Sequence, residues 1–397
     1  MYTGEVMKTI RKMLFSIALF GFYSVKCYSF ELGVGTHLAF YPNSDDYYIQ
    51  LAKSYGFTSL RDEVSWQQIE KTPKVYSIPK IIDKTDSAFS SIKSDVSMIL
   101  ILSYGNVLYT QGGYPQNDDD IQKFSDYSSW VVERYKGRVK YYEIWNEWLV
   151  GTGVSNKKIK RPGDDVFLSL VKSASYAIKK VDNEAVVMTG TINPLKPQER
   201  KWIYSLVGNG LLKYVDAISI HPYSFQFKGS SLQTPEGNLI EVDKFEEELK
   251  KIEGKEIPLY ITEVGYPTIY AGGGFSPEKA GVDTLKYSLL AKARSYIRGI
   301  WWYDFIDDGK SFFNREHHFG LLDIDQKPKP SALYLKEFRN LIKYSNVKII
   351  RQSVNGIVEV NISSRSKSIT IQWDNSKSDS DLVFIEQLRL AKKELNY

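Results

Sequence analysis

Short apolar runs alternate with longer amphipathic stretches from about residue 30 to residue 343. The runs at 32–38, 58–64, 96–103, 140–145, 185–191, 217–221, 258–262 and 299–305 read as strands. The stretches at 46–54, 79–93, 121–135, 164–181, 199–207, 242–252, 277–297 and 331–342 read as helices. Residues 96–103, VSMILILS, are almost continuously apolar, as expected of a parallel strand covered on both faces. Eight strand–helix units in strict alternation predict an α/β fold, a (β/α)8 or TIM barrel. The competing arrangement is a doubly wound open sheet. No GxGxxG follows the first strand; Gly33 and Gly35 lack a third glycine and open no helix, so a dinucleotide fingerprint is not supported.

After Lys343 the pattern changes. Residues 347–351, 357–362 and 369–373 alternate like strands, separated by stretches rich in Ser, Asn and Lys. A small β-rich C-terminal appendage is therefore expected over 344–397, following a barrel domain over 30–343. The polar tail at 388–397 reads as helical or frayed.

The first 29 residues read as a secretory signal. Lys8, Arg11 and Lys12 precede an apolar run at 13–25, and Cys27-Tyr28-Ser29 places small residues as a signal peptidase requires. The run is short for a membrane span; a buried helix or an uncleaved anchor is the alternative. An exported chain, periplasmic or extracellular, is the expectation. Cys27 is the only cysteine, so cleavage after Ser29 leaves a chain with no disulfide and no thiolate metal site. Cleavage also removes Lys8, Arg11, Lys12 and Lys26 against Glu5, which takes away most of the net charge of +5. With 43% apolar and 25% charged residues the composition is that of a folded soluble protein. No clustered basic stripe is present, so no nucleic-acid partner is expected. The 28 Tyr and 8 Trp are many, and they suit either sugar stacking or a bulky core.

In a barrel, reactive groups sit at the C-terminal ends of the strands. The fourth strand ends in Tyr142-Glu143-Ile144-Trp145-Asn146-Glu147-Trp148 and the seventh in Thr262-Glu263-Val264-Gly265. A carboxylate at the end of an apolar run costs several kcal/mol to desolvate unless it is hydrogen-bonded or put to use. Each of Glu147 and Glu263 could be a strand-end ion pair. Together at one barrel mouth, they are the two facing carboxylates that glycoside hydrolysis requires.

On Trp145-Asn146-Glu147 and Ile261-Thr262-Glu263-Val264-Gly265 the sequence resembles clan A retaining glycoside hydrolases. It is most similar to family 39 and related secreted exopolysaccharide glycosidases. Arg61 with Trp66 and Glu70, His221-Pro222-Tyr223, Trp301-Trp302-Tyr303 and the run Gly320-Leu321-Leu322-Asp323 to Pro330 are similar in order to that family's segments. The resemblance covers about residues 30–340. It implies a nucleophile at Glu263 and an acid/base at Glu147. It implies that Asn146 binds the sugar 2-hydroxyl, and that Arg61 and Tyr223 hold Glu263. A turn-capping Asn146, an Arg61 in a structural ion pair and a core His221 are the alternatives. Alternation lets one of Trp301 and Trp302 face the barrel axis, and Trp302 is expected as the sugar floor. His37, Trp66, Tyr104 and His221 complete the sugar-binding candidates, with Trp148 as a further rim aromatic.

Three other motifs are read otherwise. The stretch 271–281, AGGGFSPEKAG, lacks the ending of a P-loop and reads as a lid or connector. Asp118-Asp119-Asp120 does not match an EF-hand and reads as a helix N-terminus. His317-His318 stands without HExxH or cysteine, so no metal and no cofactor is expected. The leading expectation is a retaining glycosidase acting as a monomer on a poly- or oligosaccharide. The alternatives are a non-catalytic carbohydrate-binding or adhesion protein on the same scaffold, and a transglycosylase.

Overall fold

The structure, a computed structural model, describes residues 30–92, 95–269 and 274–397. The expected signal segment at 1–29 and part of the 271–281 loop lie outside the described residues. Eight parallel strands close into a barrel: β1 (Glu31–Gly35), β2 (Ser59–Ser65), β3 (Ser97–Ser103), β4 (Tyr141–Ile144), β5 (Val186–Ile192), β6 (Ala217–Ile220), β7 (Leu259–Val264) and β8 (Ile297–Trp302). β1 pairs with both β2 and β8, which closes the ring. The (β/α)8 expectation is met.

The outer layer holds α1 (Asp45–Ser54), α2 (Asp83–Ser91), α3 (Asp118–Tyr135), α4 (Asp164–Val181), α5 (Pro197–Gly208), α6 (Pro235–Glu253), α7 (Pro277–Lys292) and α8 (Pro330–Tyr344). Local chemistry sets their starts. Asn117 caps α3 by accepting from Asp120 N–H, and the three aspartates fill its first turn, where the helix dipole favours them. Thr234 and Pro235 start α6 earlier than its apolar spacing suggests. α7 stops at Lys292, short of the expected 297, because the chain must already be extended at Ile297 to pair with β7.

Inside the barrel, side chains stack in layers. Ile99, Tyr141, Val186, Met188, Ala217, Tyr260 and Trp301 form a dry plug. A Cβ on Gly33 would stand 2.2 Å from the Trp301 ring, so this glycine makes room for the indole rather than for a phosphate. Two residues further along each strand, alternation brings the next inward positions to the layer above: Arg61 after Ser59, Glu143 after Tyr141, and Thr262 after Tyr260. This polar layer is the base of the mouth.

The C-terminal segment is a three-stranded antiparallel sheet, β9 (Asn346–Arg351), β10 (Ile357–Ser363) and β11 (Ser368–Asp374), followed by α9 (Ser380–Glu394). The tail is thus helical from Ser380. It buries Phe384, Leu388 and Ala391 together with Trp373 in the same apolar core as the helix layer. α7 is buried on all sides from Ala280 to Ala291 because the barrel covers one face and this segment approaches another, where Lys286 pairs with Asp381 at 2.8 Å.

Candidate active site

Glu143 anchors the site. It is fully buried, and its Oε2 accepts from Arg61 Nε at 2.8 Å and Nη2 at 2.6 Å. Its Oε1 accepts from the Thr262 hydroxyl at 2.8 Å. The guanidinium, spread this way, also donates from Nη1 to Glu263 Oε1 at 2.5 Å and from Nη2 to Asn146 Oδ1 at 3.0 Å. Glu263 Oε2 accepts from the Tyr223 hydroxyl at 2.9 Å. Burial, with the nearby charge of Glu263, keeps that phenol well above its ordinary pKa, so it remains a donor.

Two bulges shape the surroundings of the two facing carboxylates. Ile300 and Trp302 of β8 pair with Ile261 and Val264, so Thr262 and Glu263 share the place of one residue. Both adjacent side chains can therefore turn toward the mouth. In β5, Gly190 and Ile192 pair with Ser219 and Ile220, which leaves Thr191 as the extra residue with φ +43°. Its hydroxyl accepts from Glu147 N–H at 2.6 Å. Trp145 (φ +63°) and Glu147 (φ +50°) are also left-handed, a conformation that non-glycine residues hold only when their surroundings impose it.

Glu147 lies across the mouth from Glu263. A carboxylate oxygen of each, and a ring nitrogen of His221, all lie within 4.8 Å of one another. His221 Nδ1 is 3.1 Å from Glu147 Oε1, and its Nε2 is 3.1 Å from Thr262 Oγ1. The Thr262 hydrogen is already given to Glu143, so Nε2 must donate to Thr262. Nδ1 and Glu147 then share a single proton: either the ring is cationic and Glu147 ionised, or the ring is neutral and Glu147 protonated. Burial resists the charged ring, but Glu263 and Glu147 outweigh it and raise its pKa. Burial likewise pushes the Glu147 carboxyl up, yet the His221 hydrogen bond and charge, with the Thr152 hydroxyl, hold it at about 2. The resting proton therefore resides on His221.

These groups open into a cleft of about 630 Å³, which Tyr104, Phe225, Tyr303 and Phe319 also line. Tyr104 Oη accepts from Asn146 Nδ2 at 3.2 Å. His37 lines the cleft as well, with Nδ1 on Asp308 Oδ1 at 2.9 Å. The structure thus gathers Arg61, Asn146, Glu147, His221, Tyr223 and Glu263 into one network and places His37 and Tyr104 at the same cleft.

Three aromatic candidates lie elsewhere. Trp302 points outward, donating to Ser288 Oγ on α7 at 3.2 Å and packing on Tyr266 and Tyr287. Trp301 takes the inward position, so the next inward residue, Tyr303, reaches the cleft in its stead. Trp66 is fully buried, its indole N–H on Glu70 and its ring stacked between Tyr109 and Tyr127. Trp148 is buried against Tyr114, Trp145 and Phe167. Glu143, Thr262, Thr152 and Tyr303 are the site residues that sequence reasoning left without a role. For Glu143 the signal was present: an acidic residue inside an apolar strand needs a buried partner.

The family model described as cellulase (glycosyl hydrolase family 5) matches residues 25–303. No curated protein matches the sequence. Among solved structures, a family 39 glycoside hydrolase from the gut symbiont Bacteroides cellulosilyticus WH2 is 22% identical, with a TM-score of 0.70 over 87% of this chain and 71% of that one. A GH5_18 protein from Bifidobacterium longum subsp. infantis is 14% identical, with a TM-score of 0.61 over 78% of each chain. Xylanase 10B from Thermotoga maritima is 17% identical, with a TM-score of 0.57 over 79% of this chain and 95% of that one. At these identities the three structures share the fold.

Proposed function

Since the chain belongs to the cellulase family, glycosyl hydrolase family 5, and is a clan A glycosidase, we propose that it hydrolyses β-linked poly- or oligosaccharides with retention of configuration. The observation that carries this reading is the approach of Glu147 and Glu263 to within 4.8 Å. Retaining enzymes hold their carboxyl groups about 5–5.5 Å apart, whereas inverting ones leave roughly 6.5–9.5 Å for a water.

Roles follow from the donors on each carboxylate. Glu263, with Arg61 on one oxygen and Tyr223 on the other, is oriented to attack the anomeric carbon and form a glycosyl ester. The bond to the leaving oxygen breaks as Glu147 delivers the proton it shares with His221. Glu263 is the first group that raises His221. Once Glu263 becomes a neutral ester, the ring's hold on the proton weakens, which favours its release at that moment. Glu147 is then ionised and takes a proton from the incoming water. The ester is cleaved, and the proton returns to the Glu147–His221 pair. On this reading Asn146 binds the sugar 2-hydroxyl, and Tyr303 offers an aromatic face in the same cleft.

We also propose export, on the basic and apolar N-terminal segment; among the described residues no helix is long and apolar enough to cross a membrane. Replacing Glu263 by Ala is expected to abolish turnover of an activated aryl β-glycoside, with partial rescue by azide. NMR of the first product is expected to show the anomeric configuration of the substrate. An inverted first product, or full activity in the variant, overturns the mechanism.

A further inference from the structure

Beside the cleft, the turn that follows β8 carries two carboxylates toward His37. Asp304 is fully buried, and neither of its carboxylate oxygens has a hydrogen-bond partner. Leaving a buried carboxylate without partners costs several kcal/mol, and nearly all buried polar side chains find one. Of its neighbours, the buried Tyr41 hydroxyl makes no hydrogen bond to it or to any other group, and the charged ones are committed elsewhere. Lys329 Nζ is on Asp307 Oδ1 at 2.6 Å, and Asp62 Oδ2 accepts from the Thr36 hydroxyl and from Leu38 N–H, each at 2.9 Å. The nearest cationic group is His37, with Nδ1 3.9 Å from Asp304 Oδ2 and 2.9 Å from Asp308 Oδ1. One donor atom from each of the three residues lies within 4.8 Å of the other two.

We propose that His37 Nδ1, Asp304 Oδ2 and Asp308 Oδ1 form a divalent-cation site at the edge of the cleft. Donors about 2.1 Å from a common ion stand roughly 3–4.2 Å apart, so the spacings of 2.9 and 3.9 Å need little adjustment. One imidazole with two carboxylates suits Mn²⁺ or Zn²⁺, whereas Ca²⁺ and Mg²⁺ favour all-oxygen sets. The ion supplies the partner that Asp304 lacks. The His37 and Asp308 side chains are 33% and 32% exposed, which leaves coordination positions open toward the cleft that His37 lines. Water or sugar hydroxyls fill them. The other group of this kind among the described residues, Glu147, His221 and Glu263, is satisfied by its own hydrogen bonds and needs no ion.

The site is independent of the catalytic reading, and its test reads metal rather than turnover. The full chain, stripped with EDTA and dialysed, is titrated with Mn²⁺ and with Zn²⁺ by calorimetry. Loss of the free six-line signal in electron paramagnetic resonance gives a second measure for Mn²⁺. One equivalent is expected to bind, with melting temperature rising with metal concentration. Asp308→Asn, at a partly exposed position, and Asp304→Asn are each expected to weaken binding at least about tenfold, while Glu263→Gln keeps one equivalent. Absence of binding by either metal at millimolar concentration overturns the proposal. So does binding that survives both aspartate substitutions, or that is lost in Glu263→Gln.

Discussion

Glu147 and His221 meet through one hydrogen bond of 3.1 Å whose proton cannot be duplicated, because the other ring nitrogen is committed to Thr262. The pair loses that proton only when the pH rises past the elevated pKa of His221, so the basic limb of activity is expected well above the ordinary carboxylate range. His221→Asn removes the reservoir. Glu147 must then hold its own proton, and the basic limb is expected to move toward acid. A pH profile of kcat/KM checks this; an unchanged basic limb would mean that His221 is only packing.

The same contact makes stability depend on acid. In the unfolded chain the Glu147 carboxyl takes up its proton near 4.5, in the folded chain near 2. The unfolded state therefore binds more protons between these values. The stabilisation is present above pH 4.5 and is lost as the pH falls toward 2, by an amount on the order of 2–3 kcal/mol. Glu147→Gln has no such carboxyl. Its melting temperature is expected to fall less steeply than that of the wild type from pH 5 to pH 2.

Arg61 serves two buried carboxylates at once, Glu143 and Glu263. Arg61→Met takes the guanidinium from both, leaving Glu143 with only the Thr262 hydroxyl and Glu263 with Tyr223 and the His221 ring, and removing one partner of a buried ion pair costs about 3–5 kcal/mol. Urea unfolding is expected to show a loss of that size. Arg61→Lys keeps a charge, but a single ammonium cannot span Glu143, Glu263 and Asn146. Stability is expected to suffer less, while kcat falls about tenfold or more. Equal losses in both variants would mean that charge alone matters and the fork geometry does not.

Much of the barrel was legible because it is periodic. Eight apolar runs at the strand positions announce themselves, and Glu147 and Glu263 stand out as carboxylates where those runs stop. What was hidden depends on parity and on bulges. One residue of register decides whether Trp301 or Trp302 faces the axis, and the expected strand at 299–305 began two residues later than the observed Ile297. Once Tyr260 and Trp301 are known to share the plug, alternation assigns Tyr303 to the cleft and Trp302 to the helix layer. Thr191 owes its place under Glu147 to a bulge, which no apolar spacing records. Trp66 was misread because a tryptophan near a strand end looks the same in sequence whether it stacks on sugar or between two tyrosines.

That correction has a direct test. Trp302→Ala opens a cavity beside Ser288 and Tyr287 and is expected to cost about 3–5 kcal/mol. At a temperature where it remains folded, its KM is expected to be unchanged. Tyr303→Ala lies at the cleft and is expected to raise KM with a smaller loss of stability. The reverse pattern in a denaturation and kinetics comparison would restore Trp302 as the sugar floor.

Trp373 of β11 donates its indole N–H to Glu236 Oε1 at 3.0 Å, on the first turn of α6. Gln352 donates to the Glu236 backbone carbonyl at 2.9 Å, and Lys286 of α7 pairs with Asp381 of α9. These groups are buried only while the C-terminal segment is in place. Cutting the chain after residue 344 would expose the apolar faces that meet Phe384 and Leu388, and would leave Glu236 and Lys286 without these partners. We therefore expect residues 344–397 to act as a fixed cover of the helix layer rather than as a separable module. A chain ending at 344 is expected to melt well below the intact protein or to aggregate. Trp373→Ala is expected to lose about 3–5 kcal/mol with the cleft chemistry intact. A truncated chain with unchanged melting temperature would show that the segment can be detached.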